Sequence, residues 1–350
     1  MKKYKKILIS LFAPLSISSI ITSAKCQPNS TSQDQQFDQW TNKLNSEVYT
    51  NLVAPSIKSA KKLIYKPSDF YASLDGKSGA ELRNELFRIQ KEHRNNTKTY
   101  AHLYNTYYDA FIDRYYENDG TLLDLYGENP NGKDPFTFDK KNHEGRAAHN
   151  NSPYVLRHKG KNNNSKSREG QIYNREHIIP QSWFGKQEPM RNDAHFVWPS
   201  DKLVNEKHAN YPYGTVKNIS YKSKNGTKIG SSLEDNGPVT EVINEFKGDL
   251  ARAIFYFTLT YQDQDIRMTD QARRFFDDDN QIKTTYLKTL LTWSDKDPLT
   301  QFDLDRNNYT FKHQKNRNPF LDYPELIKVV FEYDNNYVFK NKGLLTRFEF

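Results

Sequence analysis

The stretch from Gln171 to Gly214 has fewer ways to fold than any other part of the chain. Ile172, Ile178 and Ile179 surround Tyr173-Asn174-Arg175-Glu176-His177 in an apolar, β-branched run, which predicts a strand. Pro180 has no N–H to give a ladder and ends it. A polar turn covers Gly185 to Asn192, and Ala194 to Trp198 is a second short apolar run, predicted as another strand. Pro199-Ser200-Asp201 supplies side chains that can cap the free N–H groups of a first helical turn. A short helix over residues 202–210 then presents Asn205, His208 and Ala209 on neighbouring faces. The predicted order is strand, strand, helix, with a Glu-His pair on the first strand and an Asn on the helix.

These residue types suit hydrolysis of a phosphodiester with the help of one divalent cation. Such a reaction needs a base to activate water and a cation to neutralise the crowded oxygens and the leaving group. An unperturbed imidazole titrates near neutrality, which suits His177 to the role of base. Glu176 offers a hard anionic oxygen and Asn205 a neutral one. Mg²⁺ takes such ligands, keeping one or two carboxylates, several waters and substrate phosphate. One carboxylate and one amide leave the ion net positive, which favours a phosphate.

The segments NREHIIPQSWF, RNDAHFVWPSDKLVN and NYPYG resemble the endonuclease I group of secreted bacterial nucleases, within the ββα-metal (His-Me finger) superfamily. KGDLARAIFY, near residue 250, resembles the same family. Gln314 to Asp322, QKNRNPFLD, resembles a hallmark of its secreted Gram-positive branch. The resemblance implies that His177 is the general base and that Glu176 and Asn205 bind the metal, Mg²⁺ first, with Mn²⁺ or Ca²⁺ as alternatives. The family usually carries Arg three residues after the helical Asn; His208 stands there in this chain. Arg175, His208 and Arg317 are candidates for contact with substrate, although Arg317 could equally form a buried pair with Asp322. His195 is a candidate for orienting a ligand, or else a satisfied core histidine.

Composition constrains the partner less than it first suggests. The formal charge of the 350-residue chain is +8, but the first 25 residues hold five lysines and no acid, and setting them aside leaves +3. Global charge is therefore weak evidence for a polyanion. The densest basic run of the remaining chain is Arg157 to Arg168, either a phosphate-binding arm or a solvated insertion. Cys26 is the only cysteine, so no intrachain disulfide and no Cys-ligated zinc site can form.

Residues 1–25 read as an export signal, with lysines before an apolar run from Ile7 to Ile21 that is short for a spanning helix. Ser23-Ala24-Lys25-Cys26 resembles a lipobox, which implies cleavage before Cys26 and lipid attachment to its sulfur. Cleavage after Ala24 to give a free secreted protein is the alternative. Residues 26–48, rich in Gln, Ser, Thr and Asn, read as a flexible tether.

From Tyr49 the chain reads as helical and aromatic. Ser78 to Glu81 matches a capping box. Tyr100, Leu103, Tyr104, Tyr107 and Phe111 form a stripe at helical spacing, read as core. Leu122 to Tyr126 is a short strand candidate, and Val216 to Pro238 reads as a hairpin-like excursion. Glu245 to Tyr261 reads as a helix with one apolar face, leaving Lys247 in solvent. Asp297-Pro298 reads as a helix start.

The expected fold is α+β, with a ββα-metal element inside a mostly helical single domain over residues 49–331. Residues 332–350 read as an extension of unknown role. The expected function is a largely sequence-non-specific, metal-dependent endonuclease acting on DNA and/or RNA. It is expected as a monomer, held to the outer face of the cell membrane only by lipid on Cys26, or else secreted. The rival is a surface lipoprotein that binds nucleic acid or host ligands through a decayed site.

Overall fold

The computed structural model describes residues 32–46, 54–138, 168–171 and 173–350. The signal, Cys26 and most of the basic run lie outside those residues. In chain order the elements are α1 (Ser32–Ser46), β1 (Lys62–Lys66), α2 (Gly79–His93) and α3 (Leu103–Ala110), then β2 (Tyr173–His177), β3 (Val197–Asp201) and α4 (Lys202–His208). A sheet of β4 (Val216–Lys222), β5 (Lys228–Ser232) and β6 (Pro238–Glu241) follows. The rest is helical, with α5 (Lys247–Tyr261), α6 (Asp270–Phe275), α7 (Thr284–Lys296), α8 (Gln301–Gln314), α9 (Pro319–Asp322) and α10 (Leu326–Phe331), until β7 (Leu344–Glu349) closes the chain. The class is α+β, and every sheet is small and antiparallel.

The organising element is α5, which has no solvent face: all of its residues are buried. A helix apolar on one side needs one neighbour, whereas a helix buried all round must also pair its charges inside. Lys247, expected in solvent, donates to Glu241 at 2.8 Å at the end of β6. Arg252 donates to Asp303 at 3.0 Å and to the Asp297 carbonyl at 2.8 Å. Gly248 is required where α5 meets the 297 turn, since a Cβ there would lie 1.9 Å from the Asp297 carbonyl oxygen.

Several local expectations are corrected. Ser32–Ser46 is a helix where a tether is expected, because Trp40 and Leu44, four residues apart, bury against the rest of the core. Ser78 caps α2 without a side-chain hydrogen bond. Asp297 does not start a helix: its carboxylate takes the Gly248 N–H, and α8 starts at a capping box of Thr300 and Asp303. Residues 122–126 make one bridge, Ile112 to Leu122, rather than a strand. The hairpin-like excursion is borne out as the antiparallel pair β4–β5, to which β6 adds a third strand. Residues 332–350 are no appendage, for β7 pairs with β1, and Leu345 and Phe348 join Leu299, Leu304 and Leu321 in a second small core.

Candidate active site

The site is built on β2 and β3, paired antiparallel with Glu176 opposite Trp198 and His177 opposite Val197. β3 begins three residues later than predicted. The Asp193 side chain accepts from His195 N at 3.0 Å, and its carbonyl accepts from Phe196 N and Val197 N, which holds residues 194–196 in a turn. Asp201 caps α4 by accepting from Val204 N at 3.0 Å. Asp124, buried, holds that cap in place by accepting from Asp201 N at 2.9 Å. The helix therefore leaves the strand at a fixed angle.

Glu176 and His177 are neighbours at the end of β2 and meet different partners. Glu176 faces α4 and two tyrosines. Its Oε2 accepts from Tyr126 Oη at 3.3 Å, and Tyr126 Oη lies 2.7 Å from Tyr213 Oη. Its Oε1 lies 3.7 Å from Nε2 of His208. The carboxyl is 2% exposed, and burial raises it well above the usual carboxylate range. A buried carboxylate facing phenols and a neutral ring lacks a counter-charge.

His208 is fully buried and stacks on Tyr213, with ring centroids 4.6 Å apart. Its Nδ1 lies 2.7 Å from Thr240 Oγ1, while Nε2 is buried without a hydrogen-bond partner among the described residues. Burial pushes its pKa down to about 3. It lies behind Glu176, between Tyr213 and Thr240.

Asn205 is half-buried on α4, with Nδ2 3.4 Å from both the Arg175 carbonyl and Ser200 Oγ. With Nδ2 turned to those acceptors, Oδ1 is the atom left for a cation. Glu176 and Asn205 thus lie on adjoining strand and helix positions. A carboxylate and an amide oxygen are the hard donors that a divalent ion such as Mg²⁺ takes.

His177, the last residue of β2, faces a different group of partners. Its Nε2 lies 3.1 Å from the carbonyl oxygen of Arg191, and its ring is 5.8 Å from that of Tyr100. Burial first, and then the charges of Arg175 and Arg191, push its pKa down to about 3. Arg175 sits 3.6 Å over the Tyr100 ring and Arg191 4.3 Å from it, so two guanidinium groups flank one phenol beside the imidazole. The Nε of each arginine is buried and has no hydrogen-bond partner among the described residues. Arg191 and Tyr100 are not foreseen as site residues. Tyr100 heads the stripe read as core but is half-buried, unlike Tyr104 and Tyr107. Arg191 opens the matched segment RNDAHFVWPSDKLVN, and its position there is the one sequence signal for it.

Two other candidates lie in the core. His195 packs against Tyr256 at 4.7 Å and its Nε2 lies 3.2 Å from the Asn316 carbonyl, the core alternative for that residue. Arg317, 1% exposed, forks onto Asp322 at 2.7 and 2.6 Å, which is the buried pair rather than a substrate contact. No helix among the described residues is long and apolar enough to cross a membrane.

Comparison with known proteins adds a family to this geometry. The sequence profile described as Endonuclease I matches residues 78–325. An extracellular ribonuclease of Bacillus amyloliquefaciens is 27% identical over 264 residues, covering 73% of this chain and 75% of the relative. An extracellular ribonuclease of Bacillus subtilis (strain 168) is 26% identical over 267 residues, covering 73% and 76%.

Proposed function

This chain belongs to the Endonuclease I family, and from that premise we propose that it is a metal-dependent endonuclease with His177 as base and a divalent ion on Glu176 and Asn205. The observation that carries the reading is the contact of His177 Nε2 with the Arg191 carbonyl. A carbonyl only accepts, so Nε2 holds the proton and Nδ1 keeps its lone pair. The imidazole is neutral and oriented, ready to take a proton from water at Nδ1. Arg175 and Arg191, stacked on Tyr100, supply positive charge beside it for a phosphate.

A bound divalent ion would supply Lewis-acid stabilisation of the charge that develops on the phosphate and leaving-group oxygens. Glu176 would hold it through a buried carboxylate, and Asn205 would add a neutral oxygen beside the β2 backbone. Tyr126 donates to Glu176 Oε2 and orients it, with the His208 ring packed behind.

The relatives are named ribonucleases, which favours RNA as a substrate here, with DNA the second class to test. Phosphate contacts carry no base code, so the preference for sequence is weak. Export, with the chain attached through lipid on Cys26 or free outside the cell, belongs to the same reading. Wild type and His177→Ala, each assayed on RNA and circular DNA with Mg²⁺, Mn²⁺, Ca²⁺ or chelator, test it. Cleavage that needs both the metal and His177 is expected. Metal-independent cleavage, equal activity of the variant, or silence of the wild type under every condition would overturn it, the last in favour of a binding protein.

A further inference from the structure

Away from Glu176, three carboxylates from two chain segments converge without a cation. Glu117 follows α3, and Glu128 and Asp134 bracket the turn Glu128-Asn129-Pro130-Asn131-Gly132-Lys133-Asp134. One oxygen from each lies within 4.8 Å of the other two. Oxygens on a shell of radius about 2.4 Å around one ion can be no further apart than that, and such a radius is that of Ca²⁺ with oxygen ligands.

A cluster of acids on a surface would mean little, but Glu128 is 1% exposed and its Oε1 is buried with no hydrogen-bond partner among the described residues. The surroundings are built rather than loose. Asp113 accepts from Tyr115 N, Tyr116 N and Asn118 N at 3.0, 3.0 and 2.8 Å, which fixes the turn carrying Glu117. Asp134 Oδ1 accepts from Asn129 N at 2.7 Å, leaving Oδ2 for another partner. Asn225 donates to the carbonyls of Leu125 and Glu128, each at 3.3 Å, and pins the far side.

We propose that Glu117, Glu128 and Asp134 form a second divalent-cation site, suited to Ca²⁺, that clasps the 128–134 turn to the end of α3. Three carboxylate groups without nitrogen or sulfur ligands select a hard ion. Ca²⁺ accepts irregular oxygen shells more readily than Mg²⁺, which demands near-octahedral geometry and gives up water reluctantly. The site shares no residue with Glu176, His177 or Asn205 and does not depend on the reading of that centre.

Thermal melts of the full chain in chelator and in excess Ca²⁺ test the site, on wild type, Glu117→Gln, Asp134→Asn and Asn205→Ala. Glu117 is exposed, so its variant is expected to fold. Ca²⁺ at about ten times its dissociation constant is expected to raise the wild-type melting temperature by roughly 2 °C. Asn205→Ala should keep that rise. Glu117→Gln and Asp134→Asn should lose most of it, and Glu117→Gln should melt no lower than wild type in chelator, because one clustered charge is gone. No rise in the wild type at 10 mM Ca²⁺ (about ten times the dissociation constant of the weakest extracellular sites) would overturn the proposal. So would an equal rise in all four proteins, or its loss in Asn205→Ala alone.

Discussion

The carbonyl oxygen of Arg191 lies 3.1 Å from Nε2 of His177, and that contact decides which ring nitrogen is free. Burial with two nearby guanidinium groups holds the His177 pKa near 3, below the ordinary imidazole value of 6.5. A lowered pKa means that the proton-accepting form persists as pH falls. At saturating metal, the acid limb of kcat/KM is therefore expected well below pH 6.5, and His177→Ala is expected to lose ~10²–10⁴-fold in rate. A limb at pH 6.5 that vanishes in the variant would contradict the buried, neutral ring.

Metal affinity is expected to follow Glu176 more closely than bulk charge does. Titration calorimetry with Mn²⁺ should show Glu176→Gln losing measurable binding. His208→Gln, which disturbs the ring 3.7 Å behind that carboxylate, should weaken binding by about 10–100-fold. Unchanged affinity in His208→Gln would mean that Glu176 needs no support from α4.

Arg175 and Arg191 flank Tyr100 and carry the positive charge beside His177. Replacing Arg191 with Ala is expected to raise KM on RNA and to reduce the salt dependence of binding by about one phosphate contact. Its carbonyl remains, so the His177 tautomer should survive. An effect confined to kcat, with KM and salt slope unmoved, would place the guanidinium in the chemical step instead.

Glu234 gives a pH-dependent stability. It is buried and its pKa is pushed up to about 7 although Thr289 and the Thr215 N–H donate to it at 2.7 and 2.9 Å. The folded pKa is raised above the unfolded value near 4.5, so stability is greatest below pH 4.5 and is lost as pH rises through 7. Glu234→Gln keeps an acceptor for both donors and cannot ionise. It is expected to flatten that slope and to gain on the order of 3 kcal/mol at pH 8. Melts at pH 5, 6.5 and 8 would check the sign.

Arg317 and Asp322 form a buried fork that also takes the Tyr71 hydroxyl at 2.8 Å. Removing one partner strands the other charge inside. Asp322→Ala is expected to cost about 3–5 kcal/mol in denaturant unfolding. Specific activity per folded molecule should stay at the wild-type level, and a large loss there would return Arg317 to the list of substrate contacts.

The strand-strand-helix element was readable because its signals are local: an apolar run broken by Pro180, a cap at Asp201, and an Asn one turn into the helix. Residues that pair over long distances were not readable in that way. Lys247 looks like a solvated charge until Glu241 closes on it, and nothing near Arg252 in the sequence points to Asp303 as its partner. Trp40 and Leu44 sit in a polar segment whose helix is stabilised by a core contributed from elsewhere. His208 carries a departure from the family pattern, yet only the fold shows that it lies buried behind Glu176. Composition and spacing give residue types, and the partner that neutralises each charge comes with the tertiary fold.

The pairing of Lys62–Lys66 with Leu344–Glu349 has a consequence for how the molecule reaches this state. Most of the sequence lies between the two partners, so the ladder closes a long loop whose entropic cost the surrounding packing must offset. A chain without Leu344–Glu349 would leave Lys62–Lys66 as an unmatched edge and open the small core around Leu345 and Phe348.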